Sequence, residues 1–292
     1  MPFLLILTLI FNSFVNFGEI SFSNSFSAPV KTQNKSLGVY VSAQSALAVD
    51  EKSGKILFSK EPDKVLPIAS ITKLVSALVL ADSGVDWQKE VKIKKEDYKE
   101  GGRIYLGYGE RVTLYDLLNL GLIASDNEAI AALVRGAGFT EEEFVVLMNK
   151  KARELGMRNS RFFDPTGLDP RNVSTVYDLA KLAKRVFSEK QLKEILNKKE
   201  YSFTELERKK NRKIFSTNKL FNSFLYDKES NYRLKAGKTG YLEEAGYCFL
   251  SKAEDNFGNS IIVAILGSKS DKSRFQETKA LVWWVFNNWR WD

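Results

Sequence analysis

Polar and apolar positions follow three different patterns along the chain. Alternation in Ala46–Asp50 and Ile56–Ser59, on either side of a glycine-containing turn, predicts a β-hairpin. From residue 68 to about residue 196, apolar residues recur three and four positions apart, which predicts a mostly helical region. The apolar faces of this region are Leu74–Leu80, Leu114–Ile123, Ala129–Val134, Phe144–Leu155 and Val176–Val186.

The last third of the chain returns to strand patterns. Strands are predicted at Arg233–Thr239, Gly246–Ser251 and Ile261–Leu266, followed by a closing helix from about Phe275 to Trp289. Strands and helices that are segregated along the chain favour the α+β class. We therefore expect one antiparallel sheet flanked by helices, with an adjoining helical lobe at about residues 85–200.

The N-terminus has the character of an export signal. An apolar run from Phe3 to Phe11 precedes small residues at Ser25 and Ser27, although no basic residue occurs before Lys31. The run is too short to span a bilayer with ease, and the alternative is a lipid-embedded or disordered leader, as a misassigned start codon would produce. The sequence predicts a signal peptide at residues 1–27, a single domain at 28–292, and a protein exported to the periplasm or another extracytoplasmic part of the cell envelope.

The composition restricts the available chemistry. The 292 residues include no histidine and one cysteine, Cys248, so Ser-His-Asp triads, Cys-His pairs and histidine-ligated metals are excluded. We expect no metal and no cofactor, and proton transfer through Lys, Asp, Glu, Tyr or Ser. The net charge of +8 favours an acidic partner. The densest basic stretch, Lys190 to Lys213, is also rich in Glu, which indicates a solvated helical face and no nucleic-acid groove.

The first candidate motif is Ser70-Ile-Thr-Lys73, at the start of the apolar helix 74–81. Residues three apart share a helix face, so the hydroxyl and the amine should be neighbours. Burial would favour a neutral Lys73, able to take the Ser70 proton. A capping serine with a snorkelling lysine explains the pair equally well. A second copy of this spacing, Ser216 to Lys219, shows that it arises by chance.

Two further motifs occur downstream. Ser125-Asp-Asn127 lies between two predicted helices, where it is either a helix cap or a corner that projects Ser125 and Asn127 into a cleft. Lys238-Thr239-Gly240 lies at a predicted strand end. A glycine there permits close approach of another backbone, and Lys238 and Thr239 supply a charge and a hydroxyl. The alternative is an ordinary strand end with turn glycines.

The three motifs, in this order and on these elements, resemble the penicillin-recognising serine D,D-peptidases. The chain is similar in particular to the D-alanyl-D-alanine carboxypeptidases, over about residues 40 to 286. The segments that carry this resemblance are 67–73, 155–160, 164–168, 174–179 and 237–248. The resemblance implies a five-stranded antiparallel sheet of the β-lactamase/transpeptidase type. It also implies a hydrolase that removes the terminal D-Ala from peptidoglycan stem peptides through an acyl-enzyme, with β-lactams as covalent inhibitors.

The resemblance also implies residue roles. Ser70 would be the nucleophile, Lys73 its general base, and Ser125 a proton relay toward the leaving group. Asn127 would hold the substrate amide and Lys73, and Lys238 would add positive potential.

The remaining implied positions bind the substrate. Thr239 and Arg274 would bind its carboxylate, with Gly240 beside them. The backbone N–H groups of Ser70 and Tyr241 would form the oxyanion hole.

Two departures from the family pattern leave alternatives open. Aspartate within Ser125-Asp-Asn127 is more typical of class A β-lactamases, yet no E-x-x-L-N segment follows; Glu194-Ile-Leu-Asn197 is one residue short. The chain ends with the catalytic domain, as in the shorter D,D-endopeptidases. The alternatives are therefore an endopeptidase on peptidoglycan cross-links, a class A-like β-lactamase, and a non-hydrolytic penicillin-recognising sensor.

Two other features are expected to be structural. Cys248 falls in a predicted core strand and should be an inert, buried thiol. The tryptophan-rich C-terminus is expected to be a helix packed on the sheet, with Trp289 and Trp291 at its frayed end. An interfacial membrane anchor is the alternative, so membrane association is possible but not required.

Overall fold

A computed structural model describes residues 27–33, 36–99, 104–227 and 229–292 of the chain. Apart from its last residue, the predicted signal peptide lies outside these ranges. The strands are β1 Val30–Lys31, β2 Ser45–Asp50, β3 Ile56–Lys60, β4 Leu66–Pro67, β5 Glu90–Lys92, β6 Arg111–Thr113, β7 Val173–Ser174, β8 Glu200–Glu205, β9 Lys210–Phe215, β10 Tyr232–Leu242, β11 Gly246–Asp255, β12 Ser260–Ser268 and β13 Trp289–Arg290.

The α-helices are α1 Lys73–Asp82, α2 Leu114–Asn119, α3 Asn127–Gly136, α4 Glu141–Glu154, α5 Val176–Ser188, α6 Lys190–Leu196 and α7 Asp271–Asn288. Short 3₁₀ turns occur at Ala69–Thr72, Lys95–Asp97, Lys219–Asn222 and Phe224–Tyr226, and a π-helical turn spans Leu120–Ala124. No helix in the described ranges is long and apolar enough to cross a membrane.

A five-stranded antiparallel sheet forms the centre, in the order β10-β11-β12-β2-β3. It is buried on both faces: Ile261, Val263 and Ile265 pack with α7, whereas Ile262 and Leu266 pack with the helices of the other side. This explains why β12 is a continuous apolar run without polar alternation. The α+β prediction is confirmed, including the five-stranded antiparallel sheet.

The helical interpretation of the basic stretch 190–213 is wrong beyond α6. Residues 200–215 form the antiparallel hairpin β8–β9, in which Phe203 and Ile214 are buried and their neighbours are exposed. Buried Glu205 accepts hydrogen bonds from backbone N–H groups at the start of β6 and in the hairpin turn. A tertiary contact of alternate side chains therefore overrides the helical preference of the Lys- and Glu-rich sequence.

The C-terminal helix packs on the sheet, as predicted, but it is not frayed. Trp289 belongs to β13, which pairs with β1. Trp291 donates a hydrogen bond from Nε1 to Asp50 Oδ1 at 2.7 Å. Both ends of the described chain are therefore tied to the sheet.

Candidate active site

Ser70 lies in the 3₁₀ turn that leads into α1, half-buried at the edge of β10. The preceding residue, Ala69, has φ +47°, a backbone conformation that is rare for a residue with a side chain. Gly167 packs directly on this turn: a β-carbon there would collide with the Ala69 carbonyl oxygen. Strain of this kind is concentrated at functional sites, and the close packing of the neighbouring loop holds the turn in place.

Lys73 begins α1 and is completely buried. Its Nζ lies 2.8 Å from Ser70 Oγ, 2.7 Å from Asn127 Oδ1 and 2.6 Å from the Thr166 carbonyl oxygen. Burial lowers the pKa of Lys73 from 10.5 to about 7, against the opposing effect of the carboxylates of Asp164 and, more weakly, other acidic groups. At neutral pH a substantial fraction of this side chain is therefore an uncharged amine.

Ser125 is placed by an unusual helix junction. The π-helical turn 120–124 ends at Ser125, which has φ +62° and ψ +30°. Asp126 then caps α3 by accepting a hydrogen bond from the Ala129 N–H at 3.0 Å. This corner brings both Ser125 and Asn127 into the cleft, so it is at once a helix cap and part of the candidate site.

The third motif runs along the free edge of β10. Lys238 is buried and donates to Ser125 Oγ at 2.7 Å, which joins the second motif to the third. Burial, followed by the positive charges of Lys73 and Arg274, holds the pKa of Lys238 well below 10.5. A β-carbon on Gly240 would lie 2.7 Å from the Ile68 carbonyl oxygen, so glycine is required where the strand passes the Ser70 turn.

Arg274 and Tyr241 complete the group of predicted residues. Arg274 projects from the first turn of α7 and donates to the Gly240 carbonyl oxygen at 2.7 Å and the Cys248 carbonyl oxygen at 3.2 Å. It also pairs with Asp271. The Tyr241 side chain is half exposed at the rim, stacked on Tyr247.

A cavity of about 900 Å³ lies over these groups. The residues predicted from the sequence that line it are Ser70, Ser125, Asn127, Thr239, Gly240, Tyr241 and Arg274. Lys73 and Lys238 lie beneath this surface, each within 2.8 Å of a lining serine hydroxyl. The structure therefore brings all nine predicted residues together.

Sequence reasoning missed several contributors. Thr217 Oγ1 lies 2.6 Å from Thr239 Oγ1, and Thr217 belongs to the second Ser-x-x-Lys segment, for which the sequence predicts no role. Thr166 contributes through its backbone carbonyl, and hairpin residues Lys213 to Phe215 form part of the wall. The sequence points to Thr166 only through the resemblance of segment 164–168 to the family. Its role depends on a backbone carbonyl, which no side chain indicates.

Cys248 is not part of the reactive group. Its thiol is completely buried, and burial raises the thiol pKa to about 11. A thiol of this kind is a poor nucleophile at neutral pH, as predicted.

Comparison with known proteins identifies one family. A family model described as D-alanyl-D-alanine carboxypeptidase, Peptidase S11, matches residues 30–270. The chain is 32% identical over 247 residues to a D-alanyl-D-alanine endopeptidase of Pseudomonas aeruginosa, covering 82% of this chain and 76% of the relative. It is 32% identical to the D-alanyl-D-alanine carboxypeptidase DacF of Bacillus subtilis, covering 82% of this chain and 61% of that protein.

Solved structures agree on the fold. Penicillin-binding protein D2 from Listeria monocytogenes, in a cefotaxime-bound form, superposes with a TM-score of 0.73 at 28% identity. The match covers 86% of this chain and all of that one. The Streptomyces K15 DD-transpeptidase gives a TM-score of 0.79 at 24% identity, with the same coverage, and supports the fold alone.

Proposed function

Because this chain belongs to the D-alanyl-D-alanine carboxypeptidase family of serine peptidases, we propose that the protein hydrolyses the D-Ala-D-Ala bond of peptidoglycan stem peptides. We propose Ser70 as the nucleophile that becomes acylated. The proposed catalytic residues are Ser70, Lys73 and Ser125. The proposed substrate-binding residues are Asn127, Lys238, Thr239, Gly240, Tyr241 and Arg274. No metal or cofactor takes part in the steps proposed below.

The geometry around Lys73 Nζ carries this proposal. Two of its three neighbours, Asn127 Oδ1 and the Thr166 carbonyl, are oxygens that only accept hydrogen bonds. A neutral amine has two protons, and both are used by these two acceptors. Its lone pair is then directed at Ser70 Oγ, 2.8 Å away, whose hydroxyl proton it can accept. The two carbonyl oxygens therefore orient Lys73 as a base toward one hydroxyl.

The proposed reaction proceeds in two halves. Ser70 Oγ attacks the carbonyl carbon between the terminal D-alanines while its proton passes to Lys73. The oxyanion is stabilised by the Ser70 and Tyr241 N–H groups. Ser125, polarised by Lys238, delivers a proton to the leaving D-Ala nitrogen as the C–N bond breaks, and the Lys73 ammonium then reprotonates Ser125. Water then attacks the ester, which releases the shortened peptide and returns the proton to Ser70 Oγ.

The substrate carboxylate has a matching binding region. Thr239 presents its hydroxyl to the cavity, held by Thr217 at 2.6 Å. Arg274 also lines the cavity, and its guanidinium is oriented by the carbonyl oxygens of Gly240 and Cys248. A terminal D-Ala carboxylate would accept from the hydroxyl and be attracted by the guanidinium, which selects free peptide ends.

Peptidoglycan lies outside the cytoplasm, and proteins of this family act there. We therefore place the protein in the periplasm or another extracytoplasmic compartment. The apolar N-terminal run, residues 3–11, supports export by a signal peptide at residues 1–27, followed by a single domain at 28–292.

A release assay tests the peptidase function. The protein is incubated with a pentapeptide ending in D-Ala-D-Ala, and free D-alanine is measured. Release that is lost in Ser70→Ala is the expected result. If the wild-type protein is acylated by a penicillin but releases no D-alanine from any D-Ala-D-Ala substrate, the protein is a sensor and the peptidase proposal fails.

A D,D-endopeptidase is the second candidate, because endopeptidases are among the relatives. Three D-alanyl-D-alanine endopeptidases, from Pseudomonas aeruginosa, Haemophilus influenzae and Escherichia coli, are 32%, 34% and 28% identical to this chain. Incubation with purified cross-linked muropeptide dimers separates the two. Monomers appear if the protein is an endopeptidase, whereas shortened but intact dimers appear if it is a carboxypeptidase.

The β-lactamase alternative lacks a suitable carboxylate base. Among the described residues, the carboxylates that line the cavity are Glu243 and Asp271. Asp271 is paired with Arg274 and Lys219, and Glu243 lies past the end of β10. The hydrogen-bond partner of Ser70 Oγ among the described residues is Lys73, and neither carboxylate bonds to Ser70. A penicilloyl ester at Ser70 is therefore expected to be long-lived.

A further inference from the structure

Two buried carboxyl groups flank Asn127 at the start of α3. Asp126 is 3% exposed and Glu128 is 4% exposed. Asp126 Oδ1 accepts from the Ala129 N–H, but Asp126 Oδ2 and Glu128 Oε2 are buried without a partner among the described residues. The steps proposed above leave both groups unused. Family resemblance does not explain the pair either, since aspartate at position 126 departs from the usual carboxypeptidase motif.

A single proton resolves this arrangement. Two adjacent carboxylates out of contact with water repel each other, and each lacks a donor for one oxygen. If one group is protonated, its O–H donates to the other, and both buried oxygens are satisfied. Burial, together with this hydrogen bond between the protonated carboxyl group and Glu128, raises the pKa of Asp126 to about 8, in agreement with a proton retained at neutral pH.

We propose that Asp126 and Glu128 share one proton and act as a positioning pair, whose single negative charge sets the pH at which Lys73 becomes a base. This inference rests on the proposed role of Lys73. Neither group contacts Ser70 or the cavity, so the pair acts through the lysine.

The charges around Lys73 are few, so the contribution of this pair is identifiable. Asp164 faces it from the loop 164–168 and the pair faces it from α3, whereas the pKa of Lys238 on β10 is itself held well below 10.5 by burial. Asp164 Oδ1 accepts three hydrogen bonds, from the N–H and hydroxyl of Thr166 and the N–H of Gly167. Its charge is thus stabilised by donors of its own loop. The shared charge on α3 is the other anion that favours the Lys73 ammonium.

If the two groups share one proton, removing either carboxyl group alone leaves the total charge near Lys73 unchanged. Two independent charges would not behave in this way. Asp126→Asn leaves Glu128 ionised beside an amide donor, so the charge near Lys73 stays at minus one. Glu128→Gln leaves Asp126 ionised in the same way. Only Asp126→Asn/Glu128→Gln removes the charge. Each single variant should therefore preserve the Lys73 pKa, whereas the double variant should lower it.

The experiment measures the rate of Ser70 acylation by a fluorescent penicillin as a function of pH. The acid limb of this profile is the fall in acylation rate toward low pH. It should lie at the same pH in wild type and in both single variants. In the double variant the limb should move to lower pH by roughly one unit, because loss of an anion makes the Lys73 ammonium easier to deprotonate. Equal shifts in both single variants would show two separate charges, and no shift in the double variant would show none; either result overturns the proposal.

Asp116→Asn is the matched control, since Asp116 is also a buried carboxyl in the first turn of a helix. It is not among the groups that act on Lys73 and should leave the acid limb in place.

Infrared spectroscopy of the wild-type protein near pH 7 gives a second readout that does not depend on folding of the double variant. The carbonyl band of a protonated carboxylic acid should be present in wild type and lost in each single variant. Its absence from wild type contradicts a shared proton. A chain that penicillin does not acylate at any pH would instead contradict the proposed function.

Discussion

At the scale of single residues, the site depends on keeping a lysine where its charge is unfavourable. Lys73 is completely buried and has two carbonyl acceptors but, among the residues that the structure describes, no carboxylate in direct contact. The same burial that makes Lys73 a base at neutral pH also lowers the free energy of unfolding, because the amine is charged and hydrated in the unfolded chain but loses its hydration in the folded protein. Catalytic competence and stability are therefore opposed at this position.

The first prediction concerns the stability of Lys73→Met. Between pH 7 and 10.5 the unfolded chain binds a proton at Lys73 that the folded chain does not. The unfolding free energy of wild type should therefore increase with pH across this window, and the stabilisation is lost as pH falls toward 7. Lys73→Met lacks this dependence. The wild-type value minus the variant value should thus increase by up to about 1.4 kcal/mol per pH unit.

Urea denaturation at several pH values measures this difference. The exposed residue Lys184 provides the control, since Lys184→Met should parallel wild type. A difference between wild type and Lys73→Met that does not change with pH would mean that Lys73 stays charged in the folded protein. Acylation by penicillin should be absent from Lys73→Met at every pH.

The second prediction concerns Thr217. Thr217→Val removes the hydroxyl that lies 2.6 Å from Thr239 Oγ1, so the Thr239 hydroxyl loses its orientation toward the substrate carboxylate. We expect KM for the D-Ala-D-Ala peptide to rise about tenfold, the effect of one hydrogen bond of roughly 1 to 1.5 kcal/mol. Thr217→Ser keeps the hydroxyl and should restore KM. An unchanged KM in Thr217→Val would remove Thr217 from substrate binding.

The sequence reveals the site residues whose side chains form motifs, and misses those that act in another way. Ser70, Lys73 and Ser125 are recognisable by spacing. Thr166 acts through a carbonyl group that every residue has, so its identity carries no signal. Thr217 joins the site because it follows the end of β9 by two residues and its N–H bonds to the Ile123 carbonyl oxygen, a contact across 94 positions. Only the tertiary structure establishes that contact.

At the scale of elements, the site is a junction between the edge strand β10 and the turn before α1. The two meet at backbone distance, since the nearest atom to an added Gly240 β-carbon is a main-chain oxygen of Ile68. A main-chain atom cannot rotate away as a side chain can. Strand and turn therefore hold each other at a fixed separation, which places Lys238 and Thr239 relative to Ser70.

The third prediction tests this junction with Gly240→Ala. The new methyl group should force β10 away from the turn, at a cost of about 1 to 3 kcal/mol in unfolding free energy. Acylation by penicillin should fall far more, by two orders of magnitude or so, because small misplacements at reacting groups have large effects on rate. Thermal unfolding and acylation rates measured on one preparation give both values.

Gly237→Ala, on the same strand, is the matched control. Its β-carbon would meet the side chains of Phe249 and Asn218, and no main-chain atom, within 3.3 Å. We expect it to lose stability by a similar amount while it retains most of its acylation rate. Equal loss of acylation in both variants would show that strand stability, and not the separation from the turn, controls reactivity.

Elements with one dominant pattern are predictable from this sequence, and elements with competing preferences are not. The apolar run Ser260–Ser268 can only be a buried strand or helix, and flanking turn residues decide for the strand. The hairpin β8–β9 is rich in Lys and Glu, which favour helix, and its strand pairing depends on burial of Phe203 and Ile214. The left-handed conformation of Ser125 has no glycine or asparagine to indicate it.

At the scale of the whole molecule, a net charge of +8 is combined with cations around the cavity. Lys213, Lys219 and Arg274 line it, together with two carboxylates. Peptidoglycan stem peptides and penicillins carry carboxylates, and charges within about one Debye length, roughly 10 Å at 0.1 M salt, accelerate their encounter. Either the net charge or the local cations could provide this attraction.

The fourth prediction separates these two sources. Acylation by benzylpenicillin at concentrations well below saturation should slow several-fold as salt rises from low to about 0.5 M, because screening weakens attraction of the anion. In Lys213→Gln/Lys219→Gln the rate at low salt should be lower and its dependence on salt weaker. Lys184→Gln/Lys190→Gln removes the same net charge at exposed positions outside the cavity lining and should match wild type. If both double variants lose salt dependence equally, the net charge of the molecule attracts the penicillin. If the wild-type rate does not depend on salt, the encounter with the anion is not assisted by electrostatic attraction.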